Sequence, residues 1–294
     1  MAAPTPPTLT TITTEALKKA LNGATPSSAQ LTRAQDEWME EVKNDIWEKA
    51  KRLKSLQVVS VTVLADGQNR YSMPTDFSSL MTAEVLDGSH TGTAQTGAVG
   101  SITLAAADSF AEGDLQGKDI LVTAGTGVGS CSQITAYNNS TKVATVTPNF
   151  TTAPAVSSTY RIIDSVDDLD EFPYWQYPAI YTPQTPGRPV RYYPTGDADY
   201  GEILLHPVPE KTYGLRLRYY ANLMTIDLAG TTMATVYQRW RNIFTQGVYA
   251  KALQNLKDSR VDVELGIYYK MVATLVSREE YGMDLSSLQA SVQE

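Results

Sequence analysis

Residues 28–73 read SAQLTRAQDEWMEEVKNDIWEKAKRLKSLQVVSVTVLADGQNRYSM, and the period of their apolar positions changes once along the way. From Ser28 to about Leu56, the residues Leu31, Ala34, Trp38, Val42, Ile46, Ala50 and Leu53 recur at steps of three and four. They therefore share one face of a helix. Acids (Asp36, Glu37, Glu40, Glu41) crowd its first half and bases (Lys49, Lys51, Arg52, Lys54) its end, the order that suits the helix macrodipole. This is a solvated face on a structural helix in preference to a nucleic-acid patch. Beyond it, Val59, Val61 and Val63 alternate with Ser60, Thr62 and Leu64, which is strand spacing, and Asp66-Gly67 is a turn signal before Gln68 to Met73. A long amphipathic helix feeding a hairpin predicts an α+β chain.

Working outward, residues 1–13 are rich in Pro and Thr and read as a flexible N-terminal arm, with Thr14 capping a short helix over Glu15–Leu21 that Gly23 ends. On the other side, Pro74-Thr75-Asp76-Phe77 opens a loop into a short strand at Thr82–Leu86. Residues 89–163 then change composition to Gly, Thr, Ser, Ala and Val with few charges. Strands are expected there at Ser101–Leu104, Asp119–Thr123, Cys131–Asn138, Lys142–Thr147 and Thr159–Ile163, a small all-β sandwich or barrel inserted between the flanking segments. Asp164, Asp167, Asp168, Asp170 and Glu171 follow without a base until Arg188, and then an aromatic, Pro-rich stretch from Phe172 to Tyr181. Strands are expected at Val190–Tyr193, Glu202–His206 and Tyr213–Tyr220. A helix from about Thr232 to Lys257, with Val236, Trp240, Ile243, Phe244, Val248 and Leu256 inward, and another from an Asp258-Ser259 cap to Tyr281, with Leu265, Tyr268, Tyr269, Val272 and Val276 inward, close the chain. The expected fold class is a helical-bundle core with a small antiparallel β-meander, built from residues 14–88 and 164–281, plus the inserted β-module over 89–163 and a C-terminal tail over 282–294.

Composition limits the chemistry. The chain has 294 residues, 42% of them apolar, with 24 Lys and Arg against 32 Asp and Glu, a net charge of -8. That balance works against coating DNA, which needs bases to displace counterions. One cysteine, Cys131, and two histidines, His90 and His206, exclude a disulfide framework and a thiolate metal cage within one chain. No stretch approaches the ~20 apolar residues that span a bilayer, and the N-terminus lacks the pattern of a secretory signal, so no membrane partner is expected. The run Gly125-Thr126-Gly127-Val128-Gly129-Ser130 lacks the third glycine of a dinucleotide loop and the lysine of a phosphate loop, so it reads as a hairpin turn. The acidic run fails calcium-loop spacing. Neither histidine sits in a recognisable catalytic setting. No catalytic, cofactor or metal residue is assigned, and no enzyme is expected. Tyr outnumbers Phe, 17 to 5, which suits half-wet interfaces better than a dry core.

The order of segments resembles a known family. Tyr71-Ser72-Met73-Pro74-Thr75-Asp76-Phe77 looks like the Y-x-L-P-x-D-F element of tailed-bacteriophage head-to-tail adaptor (connector) proteins. Gly187-Arg188-Pro189, Ile203-Leu204-Leu205-His206-Pro207-Val208-Pro209 and Tyr213-Gly214-Leu215-Arg216-Leu217-Arg218-Tyr219-Tyr220 are similar to that family's G-R-P, L-x-P-x-P and Y-x-L-x-Y-Y meander. The resemblance covers most of the chain outside residues 89–163, which resemble a β-domain spliced into many phage structural proteins; the typical adaptor lacks so large an insertion. It implies a virion protein of the neck or tail, assembled in the host cytoplasm. Its partners would be copies of itself in a ring, usually of twelve, the portal above, a tail or nozzle protein below, and tail fibres or capsid through the β-module. DNA would be a passing neighbour. Leu285, Leu288 and Val292, spaced at three and four, could dock the tail on a partner. Asp167, Asp168, Asp170 and Glu171 could line the channel and repel phosphate, or form a solvated linker. Two other classes stay open: a surface protein whose β-module binds glycan or receptor, and a tail-associated peptidoglycan hydrolase.

Overall fold

The computed structural model describes residues 9–49, 52–172, 185–195, 201–223 and 231–281; of 231–239, 280 and 281 it describes the helical backbone alone. The chain forms two compact units, one from residues 1–58, 75–78 and 220–294 and the other from 59–74 and 79–219.

The first unit is helical. It contains α1 (Leu9–Ala20), α2 (Ser28–Arg33), which passes through a π-helical turn (Ala34–Trp38) into α3 (Met39–Lys49), then α4 (Thr231–Leu256) and α5 (Val261–Tyr281). Ser27 caps α2 as a capping box, its hydroxyl accepting from the Gln30 N–H while the Gln30 side chain accepts from the Ser27 N–H. Of the helical face read from the sequence, Ala34, Trp38, Val42 and Ile46 are buried and pack with Ile12, Leu17, Phe244, Val248, Tyr268 and Val272, whereas Leu53, expected on the same helix, is buried in extended backbone before a short 3-10 turn at Lys54–Leu56. The first helix starts earlier than Thr14. Leu9 to Thr13 are helical, with the buried Thr13 hydroxyl donating back to the Leu9 carbonyl at 3.0 Å and the Thr10 hydroxyl accepting from the Gln35 side chain at 3.2 Å, so these threonines do not pull the backbone out of the helix. Leu256 and Tyr269, expected inward, are exposed.

The second unit is β. Its strands, together with the ends of β1, β3 and β15 that belong to the first unit, are β1 (Gln57–Leu64), β2 (Arg70–Ser72), β3 (Phe77–Asp87), β4 (His90–Thr93), β5 (Thr96–Ala98), β6 (Ser101–Thr103), β7 (Asp119–Ala124), β8 (Cys131–Asn138), β9 (Val143–Thr147), β10 (Thr159–Ile163), β11 (Ser165–Asp168), β12 (Asp170–Glu171), β13 (Arg191–Thr195), β14 (Glu202–His206) and β15 (Tyr213–Ala221). They form three sheets, ordered β1-β15-β3-β11, β4-β10-β7-β8-β9-β6-β5 and β12-β13-β14-β2. Ile102, Ile120, Val122, Ile134, Tyr137, Val146, Phe150, Tyr160 and Ile162 fill the interior of the seven-stranded sheet, which supplies nearly all of its own core.

The expectation of a helical-bundle core with a small meander is therefore corrected: among the described residues the chain is mostly β, with three sheets and four continuous helical stretches. The reason is physical. Helical faces announce themselves within one segment, whereas these sheets join segments far apart, such as β2 with β14 and β3 with β11, and no local period reports such a pairing.

Candidate functional site

Three of the segments that carry the sequence motifs are distant along the chain and adjacent in space, while the fourth, Tyr213–Tyr220, lies on β15 in another sheet. Tyr71 on β2 lies opposite Ile203 on β14, and β14 continues into β13, with Tyr193 opposite Leu204 and Arg191 opposite His206. The Gly187 N–H donates to the Val208 carbonyl at 2.8 Å and the Gly67 N–H to the Pro209 carbonyl at 2.9 Å. Tyr71 closes the turn before it: its hydroxyl accepts from the Ala65 N–H at 2.8 Å and donates to the Gln68 carbonyl at 3.0 Å. The Y-x-M-P, G-R-P and L-x-P-x-P segments are thus one local construction, a short sheet with its turns. His206, at the end of β14, packs edge-on against Phe172, and burial followed by the Arg191 charge lowers its pKa. A neutral, packed imidazole fits a structural role.

The acidic run is divided among different surroundings. Asp164 accepts from the Ser89 N–H at 3.0 Å and from Lys118 Nζ at 3.0 Å; these bonds, the Ser89 N–H first, hold its carboxyl down at about 2. Asp167 pairs with Arg188, whose guanidinium also donates to Ser165 Oγ at 3.0 Å. Asp167 and Asp168 are exposed on β11, an end strand of one sheet, while Asp170 and Glu171 are exposed on β12, an end strand of another. Charges on edge strands discourage pairing with other chains. Burial and the neighbouring Glu171 push the Tyr192 phenol up to about 12. The other candidates, Leu285, Leu288 and Val292, lie outside the described residues.

The Gly-rich run joins the antiparallel strands β7 and β8, with Gly125, Gly127 and Gly129 at φ of 83°, 84° and 84°. A Cβ on Gly129 would stand 3.2 Å from the Val61 carbonyl oxygen, so glycine lets this turn lie close to β1. The cleft between them, about 520 Å³, is lined by Val59, Val61, Val128, Thr152 and other uncharged residues, which offers a phosphate no cation.

One polar cluster escaped the sequence reading. Asp108, 6% exposed, accepts from the Tyr160 hydroxyl and lies 3.0 Å from His90 Nε2, while the Ala105 N–H donates to Tyr160 Oη at 2.8 Å. Phe110 packs edge-on over His90. Burial raises the Tyr160 and Tyr137 pKa values. A carboxylate orienting an imidazole is half of a nucleophile-activating arrangement, but among the described residues no Ser, Thr or Cys is bonded to His90. The cluster fastens the long β6–β7 connection to β10. A second network joins sheets: Arg216 on β15 pairs with Glu84 on β3 at 3.2 Å and with Asp119 on β7, and Arg218 reaches Glu84 at 3.0 Å. Cys131 beside it is pushed up to about 11 by burial and by Asp119, which makes it a poor nucleophile.

Among the described residues no group of three or more His, Cys, Asp or Glu is placed to hold a metal ion, and no helix is long and apolar enough to cross a membrane. The β-module keeps its rings inward, with Tyr137, Phe150 and Tyr160 buried and Phe110 half-buried, so it presents no aromatic platform. The chain matches no protein-family model and no curated protein.

Proposed function

We propose that this protein is a structural virion component, a head-to-tail adaptor that forms a ring beneath the portal, continues the DNA channel and offers a platform to tail proteins. The observation that carries the reading is the convergence of the adaptor-like segments: Tyr71, Gly187 and Ile203–Pro209 are separated by more than a hundred residues at the widest, yet build one sheet with its turns. The last adaptor-like segment, Tyr213–Tyr220, lies on β15 in another sheet. Exposed acids at Asp168, Asp170 and Glu171, beside Asp167 paired with Arg188, and the net charge of -8 suit a chain past which DNA slides without sticking. Mixing the purified chain with a portal ring and weighing the products by light scattering, with micrographs of the peak, tests the proposal. Rings joined to portal are expected. A chain that joins no portal across a panel of tailed-phage portals overturns it.

A further inference from the structure

α5 buries Tyr268, Val272 and Leu275 against the helical unit and turns another face to solvent. On that face Val263 is 67% and Ile267 45% exposed, beside exposed Gly266, Ala273 and Thr274. Among the described residues nothing requires a glycine at Gly266. Its φ is ordinary, and a Cβ built there meets no described residue within 4 Å, so alanine would fit and would favour the helix. Glycine in a helix earns its place where another backbone comes close, and this one faces outward.

The charges on the same stripe identify what comes close. Asp262, Gly266 and Lys270 are one turn apart in succession, so the acid and the base stand four residues either side of the glycine. Neither Asp262 nor Lys270 has an ion pair among the described residues. We infer that the exposed face of α5 is a self-complementary docking surface for α5 of a second copy, the two helices running antiparallel and crossing at Gly266. A two-fold axis through the crossing brings Asp262 beside Lys270 of the other copy, and does so twice. Val263 and Ile267 of each copy cover the other, and the absent Cβ allows an axial separation near the short end of the ~8–10 Å range. One helix crossing buries less than the ~1,200 Å² of a stable interface, so the pair is weak and depends on concentration. Such a contact closes on two copies and cannot by itself propagate a ring. It goes beyond the adaptor reading and does not rest on it.

Sedimentation of the full-length protein over a range of concentrations tests the surface. Wild type is expected to show a monomer–dimer equilibrium that Gly266→Leu abolishes, with an unchanged melt of the dilute variant showing that its monomer is intact. Asp262→Lys and Lys270→Asp should each weaken pairing roughly tenfold, because every reversal acts twice across the axis. The double variant should regain the wild-type equilibrium. Mixing the two single variants should give heterodimers, since one chain then carries only bases and the other only acids on this stripe. Self-association that ignores all three changes, or a chain that stays monomeric at millimolar concentration, overturns the inference. A ring that forms on portal while these changes have no effect would sink the α5 surface and leave the adaptor reading standing; paired α5 helices with no portal binding would do the reverse.

Discussion

Tyr160 and Asp108 illustrate how much one buried bond can hold. Tyr160 is fully buried, its hydroxyl accepts from the Ala105 N–H and donates a hydrogen bond to Asp108, and Asp108 also faces His90. Tyr160→Phe leaves the Ala105 donor and one carboxylate oxygen without partners in a dry setting, a loss of about 1–3 kcal/mol. Urea unfolding followed by tyrosine fluorescence measures it; an unchanged midpoint would show that water replaces the hydroxyl. Asp164 sets a pH signature. Its folded pKa is depressed to about 2, below the ~3.9 of an unfolded aspartate, so its stabilisation is complete above the unfolded value and is lost as pH falls through about 2. Asp164→Asn should therefore cost stability at pH 7 and converge with wild type below pH 2. The effect is modest, because the side chain is 37% exposed and water screens its ion pair. Equal stability of the two proteins at pH 7 would remove Asp164 from the account.

Two glycines in neighbouring helices give opposite expectations for the same substitution. Gly247 on α4 lies where a Cβ would come 2.7 Å from Val42 Cγ2 and 2.9 Å from Tyr268 Cε2. Alanine gains about 1 kcal/mol in helix propensity there but forces α3 and α5 apart, an overpacking cost of about 1–3 kcal/mol. Gly247→Ala should lower the melting temperature, whereas Gly266→Ala, measured on dilute monomer, should raise it. A rise for both would mean that the α4 packing is looser than its contacts imply. Such elements were largely legible beforehand. The α4 and α5 bounds and strands β6 to β10 follow the periodicity closely, since each period is written within one segment. β4 and β5 were not foreseen, because His90–Thr93 and Thr96–Ala98 hold only His90 and Ala98 besides Gly and Thr, with no apolar alternation. The His90–Asp108 contact left no signal either: the partners are eighteen residues apart, and the cluster exists only through the pairing of β4 with β10. Helical dominance was the wrong weight to give these elements, because short strands gather into large sheets without any one of them being conspicuous.

Whole-molecule organisation decides what can be cut from the chain. The boundary between the two units is crossed at residues 58/59, 74/75, 78/79 and 219/220, so neither unit is a continuous segment. A fragment over 79–219 lacks all of β1 and β2, the end strands of two sheets, and leaves β14 with an open edge. Residues 89–163 differ: they hold every strand of the seven-stranded sheet, and the buried cluster inside it, including Tyr160 with its Asp108 partner, is entirely their own. Excision has local costs. Leu121 and Ile163 lose Leu86, Asp119 loses Arg216, Arg161 loses Asp87 and Lys118 loses Asp164, which together expose apolar surface and free three charges. Thirteen buried core residues against two uncovered ones still favour folding. The fragment over 89–163 should therefore give dispersed amide resonances and a cooperative melt at a lower temperature than the full chain, with Leu121→Thr reducing any aggregation. A fragment without dispersion, or one that melts gradually, would show that the module depends on β3 and β15 for its structure and is not an independent insertion.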